Sequence, residues 1–177
     1  MEKSNIHEKI KLLTGSGMWH TQEVEDLPSV HLSDGPHGLR KQEEKERQNN
    51  VSLVSTCYPT ASALACSWDV TAAERLGRAV AKEAWNADVA VLLGPGINMK
   101  RSPLCGRNFE YFSEDPFLAG RLGAAYVSAA QGEDVAVSLK HFAANNQETN
   151  RQTSNSQIDE RALREIYLSA FEYVVKT

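Results

Sequence analysis

Val135-Ala-Val-Ser-Leu-Lys-His-Phe-Ala-Ala-Asn-Asn-Gln-Glu-Thr-Asn-Arg151 decides how this chain folds. Val135 to Leu139 is too short for a helix and carries β-branched residues, which fits a buried strand. Lys140 and His141 close that strand, and an amide-rich loop with Arg151 follows, as in the wall of a polar ligand site. In a regular strand Lys140 and His141 face opposite sides. For both to serve one ligand, the backbone at 140–142 must leave the pleat, through a bulge or a non-proline cis peptide.

Two upstream stretches have the same form: Val30-His-Leu-Ser-Asp34-Gly-Pro and Val89-Ala-Val-Leu-Leu-Gly-Pro-Gly-Ile-Asn98. Helical patterns follow the strands. Thr71-Ala-Ala-Glu74 has capping-box form, with Ala72, Leu76, Val80 and Ala84 at helical spacing. Asp115-Pro116 makes a good helix start, with Leu118, Leu122, Ala125 and Ala129 on one stripe. Asp159 opens a third helix with Leu163, Ile166, Tyr167, Ala170 and Val174 as its apolar face. The small-residue run Tyr58 to Cys66 is read as a further short strand.

Strand and helix in alternation imply an α/β fold with parallel strands and crossover helices. Functional residues then collect at the carboxyl ends of the strands, in a doubly wound sheet or a barrel alike. No G-x-G-x-x-G joins a strand to a helix, so a dinucleotide fold has no support. A (β/α)8 barrel needs ~250 residues. The 177 residues here are expected to form the N-terminal portion of a TIM-type barrel, four or five of its eight units, as one partial domain over 1–177.

Composition is ordinary for a globular domain, with 41% hydrophobic and 24% charged residues. A net charge of −4 gives no footprint for nucleic acid. The mixed-sign run Arg40 to Arg47 reads as a solvated segment rather than a binding patch. No apolar run is long enough to span a membrane, and the N-terminus lacks the apolar centre of a signal peptide. Cys57, Cys66 and Cys105 have no metal-site spacing, so reduced, buried thiols in a cytoplasmic protein are expected.

Six stretches together resemble glycoside hydrolase family 3, the β-glucosidase type. They are Leu13-Thr-Gly with Trp19-His-Thr; Leu32-Ser-Asp-Gly-Pro-His-Gly-Leu-Arg40; Gly94-Pro-Gly-Ile-Asn98; Cys105-Gly-Arg-Asn-Phe-Glu-Tyr-Phe-Ser-Glu-Asp-Pro116; Lys140 to Arg151; and Glu160 to Tyr167. They follow the family's order and cover nearly the whole chain. The resemblance implies retaining hydrolysis of terminal β-linked glucosyl or related glycosides, without metal or organic cofactor. Ala143-Ala-Asn145 stands where the acetylglucosaminidase branch has Pro-Gly-His, which favours the glucosidase type.

The resemblance also implies glycone binding by Asp34, Arg40, Arg107, Lys140, His141 and Arg151. An ionised Asp34 can accept from two adjacent hydroxyls, while Lys140, Arg107 and a protonated or donor-tautomer His141 supply donors. Bonds to ring hydroxyls that strengthen as positive charge develops on the sugar contribute several kcal/mol to this chemistry. Glu110 and Glu148 are expected to pair with these bases. Trp19, Trp68 and Trp85 are expected to pack in the core or an interface rather than stack on sugar.

Retaining hydrolysis needs two carboxylates about 5–5.5 Å apart. By the resemblance, the nucleophilic aspartate follows a later barrel strand and the acid/base glutamate comes from a second domain. Residues 1–177 are therefore expected to hold no catalytic residue and to be inactive in isolation. The alternative is a non-catalytic sugar-binding or pseudoenzyme fragment. By the same resemblance the expected partner is a β-glucoside or related small glycoside, together with the missing portion of the enzyme or self-association through an exposed strand edge.

Overall fold

The structure is a computed structural model that describes residues 6–42 and 51–177. The segment 43–50, which holds most of the mixed charge run, lies outside the described residues. After a short helix α1 (Ile6–Lys11), three strands form one sheet: β1 (Leu32–Asp34), β2 (Val91–Leu93) and β3 (Ala136–Val137). Both pairings are parallel, with Leu32 opposite Val91 and Val91 opposite Ala136. Backbone bonds carry β3 further, from Ser138 N to Leu92 O and from Lys140 N to Pro95 O.

Three strands among the described residues are fewer than the four or five barrel units expected. The difference lies in Tyr58 to Cys66, which is not a strand. Thr60 caps a short helix there, α2 (Ala61–Ala65), accepting from Ala63 N. Alanine dominates that run and favours helix once a capping hydroxyl is in place.

The N-cap of helix α3 (Val70–Asn86) lies two residues before the expected one. Asp69 is its N-cap, its carboxylate taking both the backbone N–H and the hydroxyl of Thr71. A carboxylate also suits the positive end of the helix dipole. Helix α4 (Pro116–Gln131) starts at Asp115 as expected. The third helix starts at Asp159 and runs through α5 (Glu160–Ala162), a π-helical turn (Leu163–Tyr167) and α6 (Ser169–Lys176). The wide turn advances the phase of the apolar stripe. Phe171 is buried beside Ala170 and Val174, while Ile166 is 39% exposed.

One core cluster packs α3 and α4 on the sheet through Val80, Ala84, Leu92, Ala130 and Val135. The other joins α2, α4 and α6 through Leu64, Leu122, Phe171 and Val174. Helices α3 and α4 approach closely at Gly77, where an added Cβ would stand 2.4 Å from Tyr126 O.

The thiols correct one expectation: Cys105 is buried, but Cys57 and Cys66 are exposed. Trp68 and Trp85 are likewise outside the core, 73% and 60% exposed. Trp19 is half-buried and donates to Gln42. No helix among the described residues is long and apolar enough to cross a membrane.

Candidate active site

Each parallel strand delivers one element of a polar array at its carboxyl end. Asp34 is the last residue of β1. The segment after β2 runs through Asn98 and a 3-10 turn (Asn108–Glu110) that presents Arg107, Glu110 and Tyr111. The extension of β3 ends at Lys140 and His141. Parallel pairing brings these three ends together, as α/β architecture requires.

At residues 140–143 the backbone leaves the pleat as expected. The peptides Lys140–His141 and Phe142–Ala143 are both cis. Lys140 and His141 turn their side chains to one cluster, and Phe142 points away, 77% exposed, edge-on to Phe171.

The cluster is a continuous chain of ion pairs and hydrogen bonds. Lys140 Nζ lies 3.3 Å from Asp34 Oδ1 and 3.4 Å from Glu110 Oε2. Arg107 Nε donates to Glu110 Oε1 at 2.5 Å, and another guanidinium nitrogen lies 2.7 Å from His141 Nε2. His141 Nδ1 is 2.9 Å from the Tyr111 hydroxyl. Asn145 Nδ2 donates to that hydroxyl at 2.8 Å and to Glu148 Oε1 at 2.9 Å, and Arg151 donates to Glu148 Oε2 at 3.0 Å.

Four of the six candidates therefore converge directly: Asp34, Arg107, Lys140 and His141. Arg151 joins at the outer edge through Glu148, with its side chain 56% exposed. Arg40 lies beside Asp34 through backbone, its N–H donating to Asp34 O at 2.8 Å, while its side chain is exposed. Glu110 and Glu148 are the partners of the bases, as expected. Asn98, Tyr111 and Asn145 were missed as site residues. Each lies in or beside a motif stretch, but an uncharged side chain gave no signal of its own.

The electrostatics follow from burial and charge. Burial, then the Arg107 and Lys140 charges, lowers the His141 pKa to about 4, so the ring is neutral at pH 7. That removes the expected protonated form. Burial raises the Tyr111 phenol to about 12, against the lowering effect of the Asn145 bond. Burial works against the charge on Arg107, yet the bond to Glu110 and its charge raise the guanidinium above its ordinary value. Burial opposes ionisation of Glu148 too, but the Asn145 bond and the Arg151 charge hold its carboxyl below the usual range. An array of fixed charges with a neutral acceptor-donor ring suits a ligand rich in hydroxyls. Among the described residues no group of three or more His, Cys, Asp or Glu is placed to hold a metal.

The model of the glycosyl hydrolase family 3 N-terminal domain matches residues 31–177. The chain is 51% identical to thermostable beta-glucosidase B of Acetivibrio thermocellus, over 99% of this chain and 24% of that protein. It is 48% identical to an exo-α-(1→6)-L-arabinopyranosidase of Bifidobacterium longum, over 97% of this chain and 23% of that one. Among solved structures, a beta-glucosidase of Kluyveromyces marxianus in complex with glucose superposes with a TM-score of 0.89 at 44% identity, covering 97% of this chain and 20% of that one. The chain thus spans about a quarter or less of the proteins it matches.

Proposed function

Since this chain belongs to glycosyl hydrolase family 3 through its N-terminal barrel domain, we propose that it forms the glycone-binding part of a retaining β-glucosidase. Asp34, Arg40, Arg107, Lys140, His141 and Arg151 bind the hydroxyls of a terminal glucosyl residue. The nucleophile and the acid/base carboxylate come from outside residues 1–177, so the isolated chain does not hydrolyse glycosides. Its three free thiols fit a reducing, cytoplasmic setting.

One observation carries this reading. Asp34, Lys140, Glu110 and Arg107 form an unbroken ionic array at the carboxyl ends of three parallel strands. Asp34 keeps its second oxygen for hydroxyl donors, and Lys140 and Arg107 hold N–H groups in reserve for hydroxyl oxygens. Burial of Glu110 and Lys140 keeps these groups in place before a sugar arrives, so little ordering remains to oppose binding. The same positive groups favour the ionised form of a nucleophilic carboxylate brought near them. The glucose complex of the Kluyveromyces marxianus enzyme supports a sugar as ligand.

The test is hydrolysis of chromogenic β-D-glucoside and α-L-arabinopyranoside by the 177-residue chain and by a longer protein that contains it. Turnover by the longer protein alone, with the glucoside preferred, is the expected result. Turnover by the 177 residues would move the nucleophile to Asp34, Glu110 or Glu148. Preference for the arabinopyranoside would change the substrate. Binding without turnover in the longer protein would leave a sugar-binding module.

A further inference from the structure

The donors around His141 leave its two ring nitrogens no choice of role. Arg107 has only N–H groups to offer, so His141 Nε2, 2.7 Å away, accepts and carries no hydrogen. A neutral ring then carries its hydrogen on Nδ1, which donates to the Tyr111 oxygen at 2.9 Å. The other neighbour of that oxygen is fixed as well. Asn145 turns its amide nitrogen to the carboxylate of Glu148, so the same nitrogen donates to Tyr111. The phenol accepts both donors on its two lone pairs. The reverse tautomer would set Nε2–H against an arginine N–H.

We propose that Arg107 and Tyr111 together fix His141 as the Nδ1–H tautomer: Arg107 fills the Nε2 lone pair, and Tyr111, a positioning residue, accepts from Nδ1. A sugar hydroxyl that takes the place of Arg107 at Nε2 must then donate. This reverses the donor role expected for His141, and it selects a ligand with a hydroxyl hydrogen at that point. Tyr111 itself touches no ligand. It is fully buried and acts through the ring, and the groups that face the ring are Arg107, Lys140, Glu110, Glu148 and Asn145. The use of Nε2 by a sugar rests on the glycone-binding reading; the tautomer lock does not.

The test uses protein labelled with nitrogen-15 in histidine, with His141→Gln to assign the signal. In the unaltered protein at neutral pH the expected imidazole pattern is a protonated Nδ1 and a bare Nε2. A protonated Nε2 overturns the proposal with no variant needed. With Arg107→Met and Tyr111→Phe combined, both fixing groups are gone, and the spectrum is expected to show the Nε2–H form or an exchanging mixture. In Tyr111→Phe alone the ring loses its anchor at Nδ1, and the dissociation constant for D-glucose is expected to rise about tenfold, the loss of roughly one hydrogen bond. A pure Nδ1–H pattern in the folded double variant also overturns the proposal. If the tautomer shifts in the double variant but neither the unaltered protein nor Tyr111→Phe binds D-glucose, the lock stands and the sugar reading fails.

Discussion

Asn98 holds the peptide of His141 from both sides. Its Oδ1 accepts from His141 N at 2.6 Å, and its Nδ2 donates to His141 O at 2.9 Å. Asn98 is itself only 3% exposed, so water is poorly placed to take over either bond. Truncation in Asn98→Ala orphans two backbone groups, at about 1–3 kcal/mol each. We expect a lower thermal midpoint and faster amide exchange at His141. An unchanged exchange rate there would show that something else holds the loop.

Glu110 is the hinge of the ionic array, with its side chain 3% exposed between Arg107 and Lys140. Glu110→Gln keeps the shape but leaves two cations facing a neutral amide. Breaking a buried pair in this way costs about 3–5 kcal/mol. The urea midpoint should fall with little change in slope. Equal midpoints for the two proteins would mean that Asp34 alone balances Lys140.

Stability should depend on pH through His141. Its pKa in the folded chain, about 4, lies below the ordinary 6.5. Between those values the unfolded chain binds the extra proton, so stability rises with pH across the window. The contribution is fully present above about pH 6.5 and is lost as pH falls towards 4. Subtracting the His141→Gln melting curve from that of the unaltered protein isolates this share from the other histidines. A flat difference between pH 4 and 6.5 would contradict the buried, neutral ring.

Gly77 is required by space rather than by backbone conformation. Alanine would raise helix propensity by about 1 kcal/mol. Its Cβ would nevertheless meet the Tyr126 carbonyl oxygen at 2.4 Å, and backbone on both sides leaves no flexible group to yield. Gly77→Ala should therefore lower the melting temperature, while Gly17→Ala, whose Cβ would meet nothing within 4 Å, should not.

The sheet and the last helix leave apolar surface open. Leu139, Phe142, Leu168, Phe171 and Val175 line a cleft beside β3, with Phe142 and Val175 77% and 79% exposed. An uncovered patch of this kind favours association. Light scattering on the purified 177 residues should show oligomers whose share grows with concentration. A monomer at every concentration would refute this.

Much of the fold is legible along the chain because its signals are local. Asp115-Pro116 and Asp159 mark helix starts through caps that bond within three residues, and the structure uses both. The run from Val135 shows its strand character in five residues. Where competing local signals coexist, the sequence is ambiguous. Tyr58 to Cys66 fits a strand by brevity and a helix by alanine content, and Thr60 decides for helix through one capping bond. Thr71 could cap a helix, but Asp69 is the stronger acceptor and takes Thr71 as its donor. The π-helical turn at Leu163–Tyr167 leaves no mark in the pattern, so the buried face beyond it is displaced.

The charged members of the site were equally legible. Charges are conspicuous where strands end, and the need for Lys140 and His141 to share one ligand already required a break in the pleat. By itself the sequence determined the α/β order, the strand ends that carry chemistry, and the acids and bases that gather there. Tertiary structure alone decided which neutral groups complete the array. Asn98 reaches His141 across 43 residues, and Tyr111 reaches it across 30. Those bonds exist because three parallel strands bring their ends together. An uncharged side chain gains a role only from the donor or acceptor it meets, and that meeting is settled when the segments dock.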